Sequence, residues 1–181
     1  MLIRSATPDD APALAALYGH HCCHGLGTFE EAAPSAGDMA ERLAAVQAHG
    51  LPYLVAEIDG QVAGFAYAGP FRPRAAYRYT VEDSVYLAPD RIGQGIGKAL
   101  LSQVIADCEA LGLRQMMAVI GDSGNMGSIG LHRSLGFELH GTMPAVGYKF
   151  GRWVDIVFMQ RALNGGAGTE PAAPGLNLRG G

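Results

Sequence analysis

The chain has 181 residues, of which 49% are hydrophobic and 17% charged, and its formal net charge is −4. This length and composition predict one globular domain with a buried core. The acidic balance argues against a nucleic-acid-binding surface, and the lack of a long apolar run argues against a membrane span. Three cysteines, two of them adjacent, do not form a disulfide framework. Since no signal-peptide segment opens the chain, we expect a cytoplasmic protein.

The first half of the chain predicts a strand, two helices and a hairpin. Thr7 and Pro8 are typical of a helix start, where a hydroxyl caps free N–H groups and proline fits the first turn. Asp59-Gly60 is typical of a tight hairpin turn. In chain order, we expect a strand over residues 2–5, a helix capped at residue 7, a helix over 38–49, and strands over 53–58 and 61–67.

The second half predicts further strands and helices. We expect strands over residues 80–87, 115–120, 137–140 and 154–160, and helices over 95–111 and 125–135. A strand, a helix and a strand in succession imply a parallel pair on either side of helix 95–111. Residues 164–181 are rich in Gly, Ala and Pro, which predicts a flexible tail after a domain over residues 1–163.

Three glycines at alternate positions, Gly93, Gly95 and Gly97, open the helix that follows strand 80–87. Backbone N–H groups at a helix start can bind an anion, and glycine leaves room for its approach. A Walker loop is excluded because Ile92 stands at its first glycine position. A dinucleotide fingerprint is excluded because Lys98 stands where its third glycine is needed. We interpret the segment as a phosphate cradle; the alternative is a turn that only ends a strand.

This turn resembles the acetyl-CoA motif of the Gcn5-related N-acetyltransferases, in which Gln or Arg is followed by two residues, Gly, one residue, and Gly or Ala. The chain departs from it at the Gln/Arg position, which is Ile92. The resemblance implies an α/β (α+β) single-domain acetyltransferase fold, with a mixed central sheet of splayed parallel strands flanked by helices. It implies acetyl-CoA as co-substrate and no metal. The implied cofactor-binding residues are Val85, Tyr86, Leu87, Gly93, Gln94, Gly95, Ile96, Gly97, Lys98, Asn125 and Ser128.

Residues 125–137 carry a second motif of the same family. There Asn125 would bind the pantetheine arm or a phosphate, and the small Ser128 would let the coenzyme lie close. His132 stands where the family commonly has a Tyr that protonates the leaving thiolate. A histidine titrates near neutrality and is able to donate that proton. The alternative is a histidine that only packs within its helix.

Residues 77–86 and 146–155 resemble the phosphinothricin acetyltransferases and their bacterial relatives that acetylate methionine sulfoximine. The resemblance covers residues 2 to about 162 and implies a homodimer, with Glu82 as general base. An ammonium group must lose a proton before it attacks a thioester, and a partly buried carboxylate beside the cradle is able to take it. Asp83 points to the opposite face of the strand and is the weaker candidate. The alternative for Glu82 is a surface carboxylate.

Three arginines before this strand predict an acceptor that carries a carboxylate or phosphinate, because Arg forms bidentate pairs with such anions. Arg78 is the first choice for this contact with the acceptor. For Arg72 and Arg74, the alternative is that they are solvated charges on a loop. By the resemblance, the loop at Phe29 and Glu30 borders the same pocket. The expected acceptor-binding residues are Arg78, Tyr79, Thr80, Phe29, Glu30, Arg72 and Arg74.

Two other functions stay open at this stage. One is acetylation of an unrelated amine or of a protein N-terminus, and the other is a coenzyme-binding module without turnover. The run His20-His21-Cys22-Cys23-His24 does not predict a metal site, because no second Cys/His pair stands at zinc-site spacing. It reads instead as the end of the first helix.

Overall fold

The computed structural model describes residues 1–178, and residues 179–181 of the expected tail lie outside the described part. Strands and helices follow one another in the predicted order. Their bounds are β1 (Leu2–Ser5), α1 (Ala11–His24), α2 (Ala36–Ala48), β2 (Tyr53–Ile58), β3 (Gln61–Pro70), β4 (Thr80–Leu87), α3 (Ile96–Ala110), β5 (Gln115–Gly121), α4 (Met126–Ser134), β6 (Glu138–Lys149) and β7 (Arg152–Ala162).

One seven-stranded sheet runs through the domain in the order β1-β2-β3-β4-β5-β7-β6. The β4–β5 pair is parallel and the other neighbours are antiparallel. The parallel register is short, from Thr80 opposite Gln115 to Glu82 opposite Met117. Beyond that point the two strands separate. The mixed sheet and the parallel pair on either side of α3 are therefore confirmed.

Apolar side chains cover both faces of the sheet because residues of a strand alternate between its faces. On β4, Val81 and Leu87 pack into the cluster that contains the buried face of α3. Tyr86 packs on the other face, against the cluster formed by α1 and α2. The alternation sends Glu82 and Asp83 to opposite faces.

The last hairpin is longer than the sequence predicts. The expected strand over 137–140 is in fact β6, which runs for 12 residues and pairs with β7. Its register shifts between Leu139 and Gly141 and again between Met143 and Gly147. These bulges interrupt the alternating pattern by which a strand is recognised. A turn at Phe150 and Gly151, both with positive φ, closes the hairpin.

The end of the chain also differs from the expectation. Instead of extending freely from residue 164, the described tail packs against the domain. The buried Arg114 guanidinium donates hydrogen bonds to the Gly166 and Thr169 carbonyl oxygens. The Tyr79 hydroxyl donates to the Ala173 carbonyl at 2.9 Å, and Leu176 is buried in the core. A composition rich in Gly, Ala and Pro does not reveal these long-range partners.

Candidate active site

A cleft of about 700 Å³ opens where β4 and β5 separate. The Ala88 N–H donates to the Ala63 carbonyl on β3. This bond shows which residues at the end of β4 direct their backbone groups toward β3. Since backbone groups alternate between the two sides of a strand, those of Val85 and Leu87 face away from β3 and toward the gap. Both residues line the cleft. One wall therefore presents backbone N–H and C=O groups that β5 does not use.

The glycine turn forms the mouth of this cleft. Gly93 and Gly95 have φ of 81° and 80°, a left-handed conformation that side chains disfavour. A Cβ built on either glycine meets no atom within 4 Å, and both glycines line the cleft. This open cradle at the start of α3 fits a diphosphate. Gly97 and Lys98 line the cleft as well.

Two residues predicted for the cradle point elsewhere. The Gln94 side chain donates back to the Asp90 carbonyl at 3.0 Å. Ile96 is 1% exposed and belongs to the core. Their side chains shape the turn, so any contact of these two residues with the coenzyme falls to their backbone N–H groups.

The opposite wall comes from the start of α4. Asn125, Ser128 and His132 all line the cleft, as does Tyr86 from β4. The Asn125 Oδ1 accepts from the Ser128 N–H at 3.1 Å and so caps the helix. The two motifs that resemble the acetyl-CoA site thus meet across one gap.

His132 is almost wholly buried and paired with Asp83. Its Nε2 lies 2.9 Å from Asp83 Oδ2, and its Nδ1 lies 2.7 Å from the Ser128 carbonyl oxygen. Burial disfavours the charged ring, but the hydrogen bond and negative charge of Asp83 outweigh it and raise the pKa of His132. The alternation of β4 ranks Asp83 below Glu82 as a base, and no sequence pattern links it to His132, 49 positions away.

Glu82 lies on the other face of β4, where the parallel register with β5 ends. It is half-buried, and this burial raises the pKa of its carboxyl above the ordinary range. The positive charge of Arg72 opposes the rise, and the negative charge of Asp83 adds to it. Such a carboxylate holds a proton more readily than an exposed one, which suits a general base.

The loop after α1 is fixed to the β6–β7 side of the cleft by Lys149. This side chain is 1% exposed, and its Nζ donates to the Gly25 and Thr28 carbonyls at 2.9 and 2.7 Å. Phe29 lies so close to Gly147 that a Cβ there would come within 2.2 Å of its ring. Sequence reasoning missed Lys149, although residues 146–155 were recognised as a family motif.

Glu30 is braced within the domain. Its carboxylate accepts two hydrogen bonds from Arg42, at 2.8 and 2.9 Å, and one from the Tyr18 hydroxyl at 2.8 Å. The Tyr18 hydroxyl also lies 2.8 Å from Thr28 Oγ1. Glu30 therefore ties the loop to α1 and α2.

A model of the acetyltransferase (GNAT) family matches residues 19–137. The chain belongs to this family. It is 53% identical to a phosphinothricin N-acetyltransferase of Alcaligenes faecalis over 93% of this chain and 86% of that protein. It is 44% identical to an L-methionine sulfoximine/L-methionine sulfone acetyltransferase of Pseudomonas paraeruginosa, over 90% of this chain and 94% of the relative. A crystal structure of a phosphinothricin acetyltransferase from Sinorhizobium meliloti in complex with acetyl-CoA superposes with a TM-score of 0.91 at 48% identity, covering 94% and 92% of the two chains.

The three arginines of this acetyltransferase have different surroundings. Arg72 stacks over the Phe71 ring at 4.3 Å, and its charge acts on Glu82. Arg78 instead lies over the Tyr79 ring, and its carbonyl accepts from the Leu176 N–H of the tail. Arg74 is exposed, while Thr80 starts β4. The structure therefore associates Arg72 with Glu82, and associates Arg78 and Tyr79 with the tail.

His21 is a further cleft residue, considered from the sequence only as part of the run of histidines and cysteines at 20–24. Its Nε2 lies 2.8 Å from the Leu87 carbonyl oxygen. Burial lowers the pKa of His21, so the neutral ring donates its Nε2–H to that carbonyl. The bond holds the end of β4 where the strand leaves the sheet.

Residues 1–178 contain no group of three or more His, Cys, Asp or Glu side chains arranged to hold a metal ion. In the same part of the chain, no helix is both long and apolar enough to cross a membrane.

Proposed function

We propose that this acetyltransferase moves the acetyl group of acetyl-CoA to the α-amine of a small amino acid or analogue, of the phosphinothricin or methionine sulfoximine type. One observation carries the proposal. The cleft is lined from Asp83 onward, just past the last parallel pair of β4 and β5, Glu82 and Met117, so the half-buried Glu82 carboxylate stands beside the acetyl-donor cleft, on the other face of the sheet. The names of the two relatives that are 53% and 44% identical support this acceptor class.

Acetyl-CoA would supply an activated acetyl thioester. The N–H groups of the turn from Gly93 to Lys98 would hold its diphosphate, where the dipole of α3 favours negative charge. The Leu87 N–H faces the gap and would polarise the thioester carbonyl, as an oxyanion-hole donor does. The pantetheine arm would lie along Val85 and Tyr86 on one wall and Asn125 and Ser128 on the other.

Glu82 would accept the proton of the acceptor ammonium, so that a free amine attacks. His132 would give a proton to the departing sulphur. We place Arg72 ahead of Arg78 as the group that pairs with the acceptor's anion, because Arg72 acts on Glu82 electrostatically whereas Arg78 contacts the tail. Phe29 and Glu30 would border the acceptor, on the loop that Lys149 fixes.

We also propose a cytoplasmic homodimer. The hairpin of β6 and β7, at one edge of the sheet, carries apolar side chains that are about half exposed or more. Such a surface is typical of a site of protein–protein contact. These are Leu139, Met143, Tyr148, Phe150 and Trp153. Trp153 is 66% exposed. We expect light scattering to give twice the chain mass for the native protein and a monomer for Trp153→Glu, with unchanged circular dichroism. A native monomer would contradict the assembly without affecting the proposed reaction.

The reaction is tested by Glu82→Gln. We expect neutral-pH turnover to fall by about 10²–10⁴-fold, the usual effect of a lost general base, with acetyl-CoA affinity retained. Because burial raises the pKa of Glu82, activity of the native enzyme should decline as pH falls through a value above the ordinary 4.5. The variant should lack this decline and should recover in part at high pH, where more acceptor is already neutral.

Glu41→Gln, an exposed substitution on α2, is the matched control and should leave thiol release from acetyl-CoA unchanged. Phosphinothricin and methionine sulfoximine are the acceptors to compare with an uncharged amine of similar size. Equal neutral-pH turnover in native enzyme and Glu82→Gln would refute the general-base role.

A further inference from the structure

His132 has a hydrogen-bond acceptor at each ring nitrogen. The Ser128 carbonyl, 2.7 Å from Nδ1, can only accept, and the Ser128 hydroxyl is farther away at 3.4 Å, so we assign a hydrogen to Nδ1. Nε2 lies 2.9 Å from Asp83 Oδ2. A neutral imidazole has one N–H and has already used it at Nδ1. The contact with Asp83 therefore requires a second proton between Nε2 and Oδ2.

Removal of this proton would set a ring lone pair against a carboxylate oxygen. Both side chains are buried, at 3% and 1% exposure, where an unpaired charge is costly. The other titratable groups on which the charge of Asp83 acts are Glu82 on β4 and Cys108 on α3. Burial raises the pKa of the Cys108 thiol, so this thiol stays neutral. The pair should thus keep its proton at neutral pH.

The second oxygen of Asp83 has no partner. Among the described residues, Oδ1 is a buried polar atom without a hydrogen bond. Such atoms are rare in folded proteins and indicate a missing donor. Asp83 and His132 both line the cleft that fits the coenzyme. The pair therefore faces the space in which the thioester would be cleaved.

We propose that Asp83 is a positioning residue that keeps His132 doubly protonated, so that the pair supplies the proton taken up by the leaving sulphur. This inference rests on the proposed acetyl transfer. As the amine nitrogen bonds to the acetyl carbon, it releases its excess proton to solvent, and the carbon–sulphur bond breaks with its electron pair left on sulphur. Sulphur then takes the proton of the pair, and solvent replaces that proton after the thiol has left.

Asp83→Asn is the test variant because it keeps the size of the side chain. Its amide can donate to Nε2, so the hydrogen bond persists while the extra proton is lost. In ¹⁵N NMR spectra of the ligand-free protein at about pH 7.5, where an ordinary histidine is neutral, we expect two ring N–H groups on native His132. The variant should show one.

In kinetics, Asp83→Asn should lower kcat by about 100-fold, the low end for a lost general acid, and should change the acceptor KM by less than about threefold. The native rate should fall at high pH, as the pair loses its proton, and the variant should lack this decline. Because the pair acts as a unit, Asp83→Asn combined with His132→Gln should be no slower than His132→Gln alone.

The inference is overturned if native His132 becomes neutral near its ordinary pKa of about 6.5. It is also overturned if Asp83→Asn lowers only stability or coenzyme affinity and keeps the native pH profile. The NMR titration of the native protein decides the question even if the variant does not fold. Absence of turnover with every amine would overturn the proposed function and the proton delivery with it, whereas two persistent ring N–H groups would still establish the positioning role.

Discussion

The coenzyme side and the acceptor side of the cleft are built in different ways. On the proposed coenzyme side, the cleft is lined by one stretch of the chain, with Val85 to Leu87 at the end of β4 and the glycine turn up to Lys98. On the proposed acceptor side, the candidate side chains come from separate segments: the charges of Arg72 and Glu82 act on each other, and Phe29 lies on the loop that Lys149 binds. The first arrangement depends on local conformation and the absence of side chains. The second depends on long-range packing, so its specificity is able to change while the coenzyme site stays constant.

The largest effect on binding is expected on the backbone side. Gly95→Val should weaken acetyl-CoA binding about 100-fold, or ~2.7 kcal/mol, because a β-branched residue is strained at φ 80° and its Cβ would occupy the cradle. Gly60→Val is the matched control, since Gly60 has φ 77° in the β2–β3 turn. Both variants should lose stability, but calorimetry should find normal coenzyme binding in Gly60→Val. Equal affinities in both variants would show that the cradle does not bind the coenzyme.

A smaller effect is expected where the acceptor loop is fixed. Lys149→Met leaves the Gly25 and Thr28 carbonyls without their donor, which costs about 1–3 kcal/mol of stability. The loosened loop should raise the acceptor KM about tenfold, and KM should rise less for acetyl-CoA. Arg152→Met, which removes an exposed cation from the same hairpin, is the control. A similar acceptor KM in both variants would show that Lys149 does not fix the acceptor loop.

The smallest effect distinguishes two arginines. Arg72→Ala should lower kcat/KM for an anionic acceptor about tenfold, or ~1.4 kcal/mol, and leave an uncharged amine nearly unaffected. Arg78→Ala should leave both acceptors unchanged and lower the melting temperature, because Arg78 packs against the tail. If Arg78→Ala lowers kcat/KM for the anionic acceptor only, then Arg78 binds the anion of the acceptor, as the sequence predicts. Arg72 would then be a solvated charge on the surface.

The same contrast explains how far the sequence predicts this protein. Hairpin turns, helix caps and the alternate glycines are local signals, and they predicted the element order and the parallel pair. β6 was predicted too short, since its bulges break the alternation on which strand recognition depends. A spacing rule does not determine where each side chain turns: those of Gln94 and Ile96 point away from the cleft, which leaves their predicted coenzyme contacts to the backbone.

Side-chain partners distant in sequence were beyond prediction. Lys149 is 121 positions from the Thr28 carbonyl that it binds, and Asp83 is 49 positions from His132. Neither distance leaves a periodic pattern. A buried lysine is also counter to expectation, since lysine is rarely buried unless paired. Only the fold brings these groups together.

The docked tail has a consequence for shortened forms of the chain. Arg114 finds its carbonyl partners at residues 166–170, and Leu176 completes the apolar cluster on the α3 side. A form that stops at residue 163 would leave the buried Arg114 guanidinium without these acceptors and would uncover the apolar cluster. The segment that composition marks as dispensable is therefore part of the stability of the domain.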